Sequence, residues 1–170
     1  MKINLSLLIF NSSFFISCMS VVILENIRSA YNVGNIIRTA DALWWDVRLT
    51  WYSPSPEDTQ KVAKTSLGAE NNVGLKQFGH TPEAIQYAKE QWMVVIAAEI
   101  TKDAIPLDIF SKNKDTDIAV IFGNEVDGVL DSTLKLVDHV VYIPMKGVKE
   151  SMNVGQTSAV FMRELQKNIV

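Results

Sequence analysis

The tightest constraint on the fold comes from two runs that are apolar but for a terminal glutamate in the first, WMVVIAAE at residues 92–99 and IAVIF at residues 118–122. Runs without polar alternation suit strands buried on both faces, and such strands lie inside parallel sheets covered by helices. SVVILE (20–25), VRLTWY (47–52), a weaker run at 72–78 and HVVYI (139–143) read as further strands. Helical patterns fall between them. At 32–43 the residues Ile36, Ile37, Ala40 and Leu43 share one side by three-and-four spacing. A second helix is expected at 57–66, ended by Gly68 in the left-handed position. A third opens at Thr81-Pro82-Glu83, with a capping threonine and a proline in the first turn. Segment 100–117 is polar and irregular, with one helical turn after Pro106. A short helix at 131–136 and a closing helix at 153–168 complete the pattern. The alternation implies an α/β class with a mainly parallel sheet flanked by helices. No internal repeat and no linker divides the chain.

A length of 170 residues suits one domain with its own core, and 48% apolar with 21% charged residues is ordinary for a globular protein. The net charge of -3 requires any nucleic-acid footprint to be a local patch, because phosphate neutralisation by Lys and Arg normally supplies much of that affinity. Cys18 is the only cysteine, which excludes an intrachain disulfide and a multi-cysteine zinc site. With His80 and His139 the only histidines, no metal centre is expected. Residues 1–18, MKINLSLLIFNSSFFISC, differ in character from the rest. The run is interrupted by Asn11, Ser12 and Ser13 and is too short to span a bilayer. It is read as an N-terminal extension of doubtful origin, with Met19 an alternative start; an added strand or helix and a targeting segment are the other readings. The functional domain is set at 19–170, with no membrane partner.

Three stretches bring polar residues to strand or helix ends: NVGNIIRTADAL (32–43), IAVIFGNEVDGV (118–129) and VVYIPMKGVKESMNVGQTSAVFMR (140–163). Open α/β sheets bind ligands in the crevice beyond the strand carboxyl ends. In FGNEVDG, two glycines bracket a loop directly after a buried strand, so the backbone can turn sharply and approach a ligand. A bare turn with a solvated Glu125 has the same pattern. The stretch lacks the lysine and spacing of a P-loop and the spacing of a dinucleotide fingerprint. In IPMKGVKESMN, Pro144 ends the strand and frees the backbone beyond it to bond a ligand. Ser151 or Asn153 also suits the cap of the closing helix. Arg38 lies three residues from Asp41, the spacing of a weak surface pair. Asn32 suits a helix cap.

Together, in this order, the three stretches resemble the signature motifs of the SpoU (TrmH-like) family of RNA ribose 2'-O-methyltransferases, in the SPOUT superfamily. The resemblance runs from about Met19 to the end. It implies a C-terminal trefoil knot, with the last helix threaded through the loop around Gly123 and Gly128. It implies S-adenosyl-L-methionine as cofactor, tRNA or rRNA as substrate, a homodimer and a cytoplasmic location. The positions carried over for catalysis are Arg38, Glu125, Ser151 and Asn153. For the cofactor they are Ala98, Gly123, Gly128, Ile143, Met145, Ser151 and Met152, and for the substrate Asn32, Arg38 and Lys64. Lys64 lies in VAKTSLGAE (62–70), also SpoU-like; with Lys61 at three-residue spacing it equally suits a solvated helix face. A guanidinium is effectively always charged, so Arg38 suits a phosphate clamp and alkoxide stabiliser better than a general base. Trp44 and Trp45 depart from the family, which usually has a glycine near the end of this helix; a subunit contact is one expectation for them. Gly155-Gln156 replaces a stretch more often small or serine-containing. A non-catalytic RNA- or S-adenosylmethionine-binding member is the alternative, which loss of Arg38 or Asn153 would have favoured; both are present.

Overall fold

Side chains alternate across a strand with period two, and in the first strand both sets are apolar. Val22 and Leu24 face one core layer, Val21 and Ile23 the other. The strand is therefore buried on both sides and needs helices on each face. The computed structural model describes residues 20–111 and 116–166. The readings made on 1–18, on Met19 and on the last residues of the closing helix lie outside them.

The strands are β1 (Val21–Glu25), β2 (Asp46–Thr50), β3 (Leu75–Phe78), β4 (Val94–Ala98), β5 (Ile105–Pro106), β6 (Ile118–Phe122) and β7 (His139–Tyr142). The helices are α1 (Ala30–Leu43), α2 (Gln60–Ser66), α3 (Thr81–Glu90), α4 (Asp131–Leu134) and α5 (Val154–Gln166). Among the described residues one seven-stranded sheet forms, in the order β3-β2-β1-β6-β4-β7-β5. Every pairing is parallel. All carboxyl ends therefore meet one edge of the sheet. Val33, Ile36, Ile37 and Ala40 of α1, Val62 of α2 and Phe161, Met162 and Leu165 of α5 cover one face. Ala84, Ile85 and Ala88 of α3, with Leu134 of α4, cover the other. The crossover from β1 runs to β2 on one side, whereas that from β6 runs to β7 on the other, so the connections diverge and leave a crevice beyond β1 and β6. That divergence is the topological switch point at which such sheets bind ligands.

Several local expectations are corrected. Ser29, not Asn32, caps α1, its hydroxyl accepting from the Asn32 amide. The helix thus starts earlier and leaves the Asn32 side chain for another partner. Helix α2 starts at Gln60, capped by Thr59, because Ser55 and Asp58 tie residues 55–58 into their own turn. Leu67 is the left-handed residue that ends α2, and Gly68 follows it at positive φ to start a 3-10 turn at Ala69–Asn71. That turn shortens the third strand to its last four residues. His80, not Thr81, holds the cap position of α3; the Thr81 hydroxyl is buried 3.0 Å from that of Thr50, and Glu83 accepts from the Gly79 amide instead. Strand β5 lies within the segment expected to be irregular, at the sheet edge where proline is tolerated. The turn after Pro106 is present, its carbonyl accepting from Ile109 and Phe110.

Gly34 lies where α1 meets α2: a Cβ there would stand 2.6 Å from Thr65 Cβ and 2.8 Å from the Val62 carbonyl oxygen. The glycine of the first motif is thus required by helix packing. Trp45 is in the core, whereas Trp44 is 84% exposed in the left-handed conformation at the end of α1.

Candidate functional site

The loop after β6 is shaped by its own asparagine. Asn124 pairs with Gly128 through two backbone bonds of 3.1 and 2.9 Å. Its Oδ1 accepts from the Val126 and Asp127 amides, and its Nδ2 donates to the Asn26 carbonyl at 2.8 Å. Gly128 has a φ of 68°, a conformation that glycine adopts without steric cost. A Cβ on Gly123 would lie 2.1 Å from the Gly128 carbonyl carbon, so the two arms of the loop touch through their backbones.

Glutamates at or beyond the ends of β1 and β4 hold the far side of this loop. Glu25, 1% exposed, accepts from the Leu130 amide at 3.0 Å and from the Thr133 hydroxyl. Glu99 accepts from the Val129 amide at 2.8 Å with one oxygen and from the Ile100 amide at 2.9 Å with the other. Neither residue was singled out from the sequence. The available signal was an otherwise apolar strand run that stops on a glutamate, SVVILE and WMVVIAAE. A charge at that point needs donors, and loop amides supply them.

Glu125 reaches back to the start of α1. Its carboxylate accepts from the Arg28 amide at 3.1 Å, the Ser29 amide at 3.2 Å and Asn32 Nδ2 at 2.8 Å. Partial burial pushes its pKa up, but donation from the Arg28 backbone, the Asn32 side chain and the Ser29 backbone outweighs it, and the group is held below the usual glutamate range. The helix N-terminus favours the same anionic state. The Arg28–Asp127 pair beside it, at 3.6 Å and well exposed, adds little.

Asn32 joins the first and third motifs. Its Oδ1 accepts from Asn153 Nδ2 at 3.2 Å, while Asn153 Oδ1 accepts from the Gly155 amide at 2.9 Å and so caps α5. Capping and site-building are done by opposite ends of one amide. Gly155 is buried, and a Cβ on it would crowd the capping Asn153 Oδ1 at 3.1 Å and reach Asn32 and Asn35 of α1 at 3.8 Å.

These loops enclose a cavity of about 650 Å³. Ala98, Gly123, Gly128, Ile143, Met145, Ser151 and Met152 all line it, as do Glu125 and Asn153. Its floor includes Phe122 and Phe161, packed edge to face at 5.6 Å. The lining holds the carboxylates Glu99, Glu125, Asp127 and Asp131 and, among the described residues, no lysine or arginine. Such a wall disfavours phosphates and suits a cationic or neutral ligand. A second, more open groove of about 850 Å³ runs between α1 and α5, lined among others by Asn35, Arg38, Thr39, Asn153, Gln156 and Arg163. Asn153 borders both spaces. Arg38 is exposed and, among the described residues, forms no ion pair with Asp41 or any other carboxylate, so the surface-pair reading fails. Lys64 is exposed in the last turn of α2 and borders neither space. Among the described residues no cluster of three His, Cys, Asp or Glu is arranged to hold a metal, and no helix is long and apolar enough to cross a membrane.

Known proteins share this fold. The tRNA (guanosine(18)-2'-O)-methyltransferase of Thermus thermophilus is 33% identical over 147 residues, which is 86% of this chain and 73% of that enzyme. The SpoU methyltransferase AviRb from Streptomyces viridochromogenes, solved in complex with AdoMet, superposes with a TM-score of 0.77 at 21% identity over 88% of this chain. This chain spans only 57% of AviRb. A structure concerned with the 2-OH methylation of C/U34 on tRNA superposes with a TM-score of 0.74 at 21% identity, covering 89% of this chain and 96% of that one. At these identities the two structures establish the fold. Residues 19–163 match the SpoU rRNA Methylase family, and with the Thermus relative this shows that the chain belongs to it.

Proposed function

We propose that this protein transfers a methyl group from S-adenosylmethionine to a ribose 2'-hydroxyl of tRNA or rRNA. The observation that carries the reading is the shared border at Asn153: a carboxylate-lined cavity on one side and the Arg38 groove on the other. A volume of about 650 Å³ is within the range of small-molecule sites, about 300–1,000 Å³. The donor set fits this cofactor, with apolar Ile143, Met145 and Met152 for a base and carboxylates for a positive centre. When bound, S-adenosylmethionine supplies a methyl group already activated by its sulfonium.

The protein's part is placement. Main-chain groups beyond Pro144, outside the strand ladder, select a base by shape and hydrogen bonds. Asn153, held by Asn32 and by its cap on α5, positions the ribose with Ser151. Arg38, with no ion-pair partner among the described residues, clamps the neighbouring phosphate and stabilises the alkoxide that forms as the 2'-hydroxyl loses its proton. Glu125 is a positioning residue: its oxygens are occupied by three N–H donors, so it orients Asn32 and closes the loop and does not take the proton. The same reading has α5 threaded through the 123–130 loop as a knot, two copies paired across the open α1–α5 groove, and activity in the cytoplasm.

The test is incorporation of labelled methyl from S-adenosylmethionine into bulk RNA from cells lacking the enzyme. Arg38→Ala should lower it at least about 100-fold, in the range of lost transition-state electrostatics. Incorporation surviving in Arg38→Ala removes that residue's role. Failure of the wild type to bind the donor overturns the reading.

A further inference from the structure

Next to the α1 mouth, on the same carboxyl edge of the sheet, three aromatic rings stand together in solvent. Trp51 meets Tyr52 at 5.1 Å between centroids and His80 at 4.7 Å. Trp51 is 46% exposed and Tyr52 71%. Large rings displayed together on a surface call for an explanation.

Their display is built into the backbone. Trp51 has a φ of 48°, a left-handed conformation that is a genuine outlier for a bulky residue and tends to mark functional positions. Its amide donates to the Phe78 carbonyl at 3.3 Å. Ser53, almost wholly buried, donates to the Leu24 carbonyl and accepts from the Ile27 amide, both at 2.9 Å. The turn bearing the rings is therefore clamped to the segment that leads into Arg28 and Ser29, whose amides hold Glu125. Glu25 is in register with Thr50, which puts the turn bearing Trp51 beside the segment that follows β1.

We propose that Trp51, Tyr52 and His80 form a stacking platform for unpaired RNA bases flanking the ribose to be methylated. The proposal rests on the RNA-methylating reading above. Unpaired bases present a π-face to aromatic side chains whatever their sequence. Glu57 and Asp58 follow in the adjoining turn, which makes this surface poor for phosphate and suitable for base faces. With a net charge of -3, stacking supplies affinity that a basic surface otherwise would.

The probes are a fluorescein-labelled RNA hairpin with an unpaired loop and the matching full duplex, followed by anisotropy. Trp51→Gly accepts the positive φ, so its melting temperature should equal or exceed that of the wild type while hairpin affinity falls about 5- to 30-fold. Tyr52→Ala should weaken hairpin binding in the same way, Tyr52→Phe should restore it, and duplex and S-adenosylmethionine binding should stay within about two-fold for all three. The proposal is overturned if the wild type does not bind the hairpin, if Trp51→Gly and Tyr52→Ala bind it as the wild type does, or if their loss is explained by dissociation of subunits in sedimentation. Ring-dependent hairpin binding by a wild type that transfers no methyl would leave the platform standing and remove the enzymatic reading alone.

Discussion

Replacing Gly123 with alanine should unmake the cavity without touching any side chain in it. The new Cβ would lie 2.1 Å from the Gly128 carbonyl carbon and 2.2 Å from the Val129 amide nitrogen. Ordinary carbon contacts begin near 3.5 Å, so the 128–129 arm must retreat by more than about 1 Å. That movement breaks the two Asn124–Gly128 backbone bonds and draws Val129 away from Glu99 Oε2. At about 1 kcal/mol for each backbone bond and about 1.5 kcal/mol for the carboxylate bond, the loss is about 2–4 kcal/mol. In a domain of this size each kcal/mol moves Tm by about 2–4 °C, so the variant should melt roughly 5–15 °C lower. Donor binding should weaken by at least tenfold. Gly147→Ala is the control, since nothing lies within 4 Å of a Cβ there; it should be neutral or slightly stabilising. Circular-dichroism melts and calorimetric titration with S-adenosylmethionine measure both quantities. A Gly123→Ala protein that melts within about 1 °C of the wild type and binds the donor normally would refute the argument.

Three further expectations concern single side chains. Because Glu125 is held below the usual carboxyl range, its clamp contributes fully above the ordinary glutamate value, about 4.3, and is lost as pH falls through the lower folded value; urea unfolding between about pH 3 and 6 should show a flatter acid limb in Glu125→Gln. Trp44→Gly should raise Tm by about 2–4 °C, because the left-handed cap costs a non-glycine residue about 1 kcal/mol; a fall would assign the exposed indole a packing role. Asn153→Ser should keep the α5 cap and melt near the wild type, whereas Asn153→Ala should lose about 1 kcal/mol. Methyl transfer should fall at least about tenfold in both, since neither retains the Nδ2 donor, and normal activity in the serine variant would reduce Asn153 to a cap.

The inner strands were legible because burial on both faces leaves an unmistakable mark: VVIL, VVIA and IAVIF admit little else. Their order in the sheet was not, since it depends on which face each crossover helix covers. Helix starts went astray where two capping candidates competed. Ser29 outdid Asn32 once α1 began two residues earlier, and Thr81 lost the cap position of α3 because its hydroxyl is buried against Thr50. Leu67 took a conformation usually left to glycine because its amide still reaches the Ala63 carbonyl. In the site, the motif residues around the cavity were named in advance, while Glu25, Glu99 and Asn124 were passed over. These three act on backbone amides, and no motif spacing records that kind of partner.

The suspension of the 123–130 loop has an evolutionary corollary. Glu25 and Glu99 grip main-chain N–H groups, which every residue but proline possesses, and Val126 and Asp127 at the crest are exposed at the rim of the cavity. The crest can therefore drift in identity, and with it the preference for what docks there, while the vault beneath keeps its outline. Specificity and architecture are assigned to different atoms, so a lineage can change clientele without rebuilding the room.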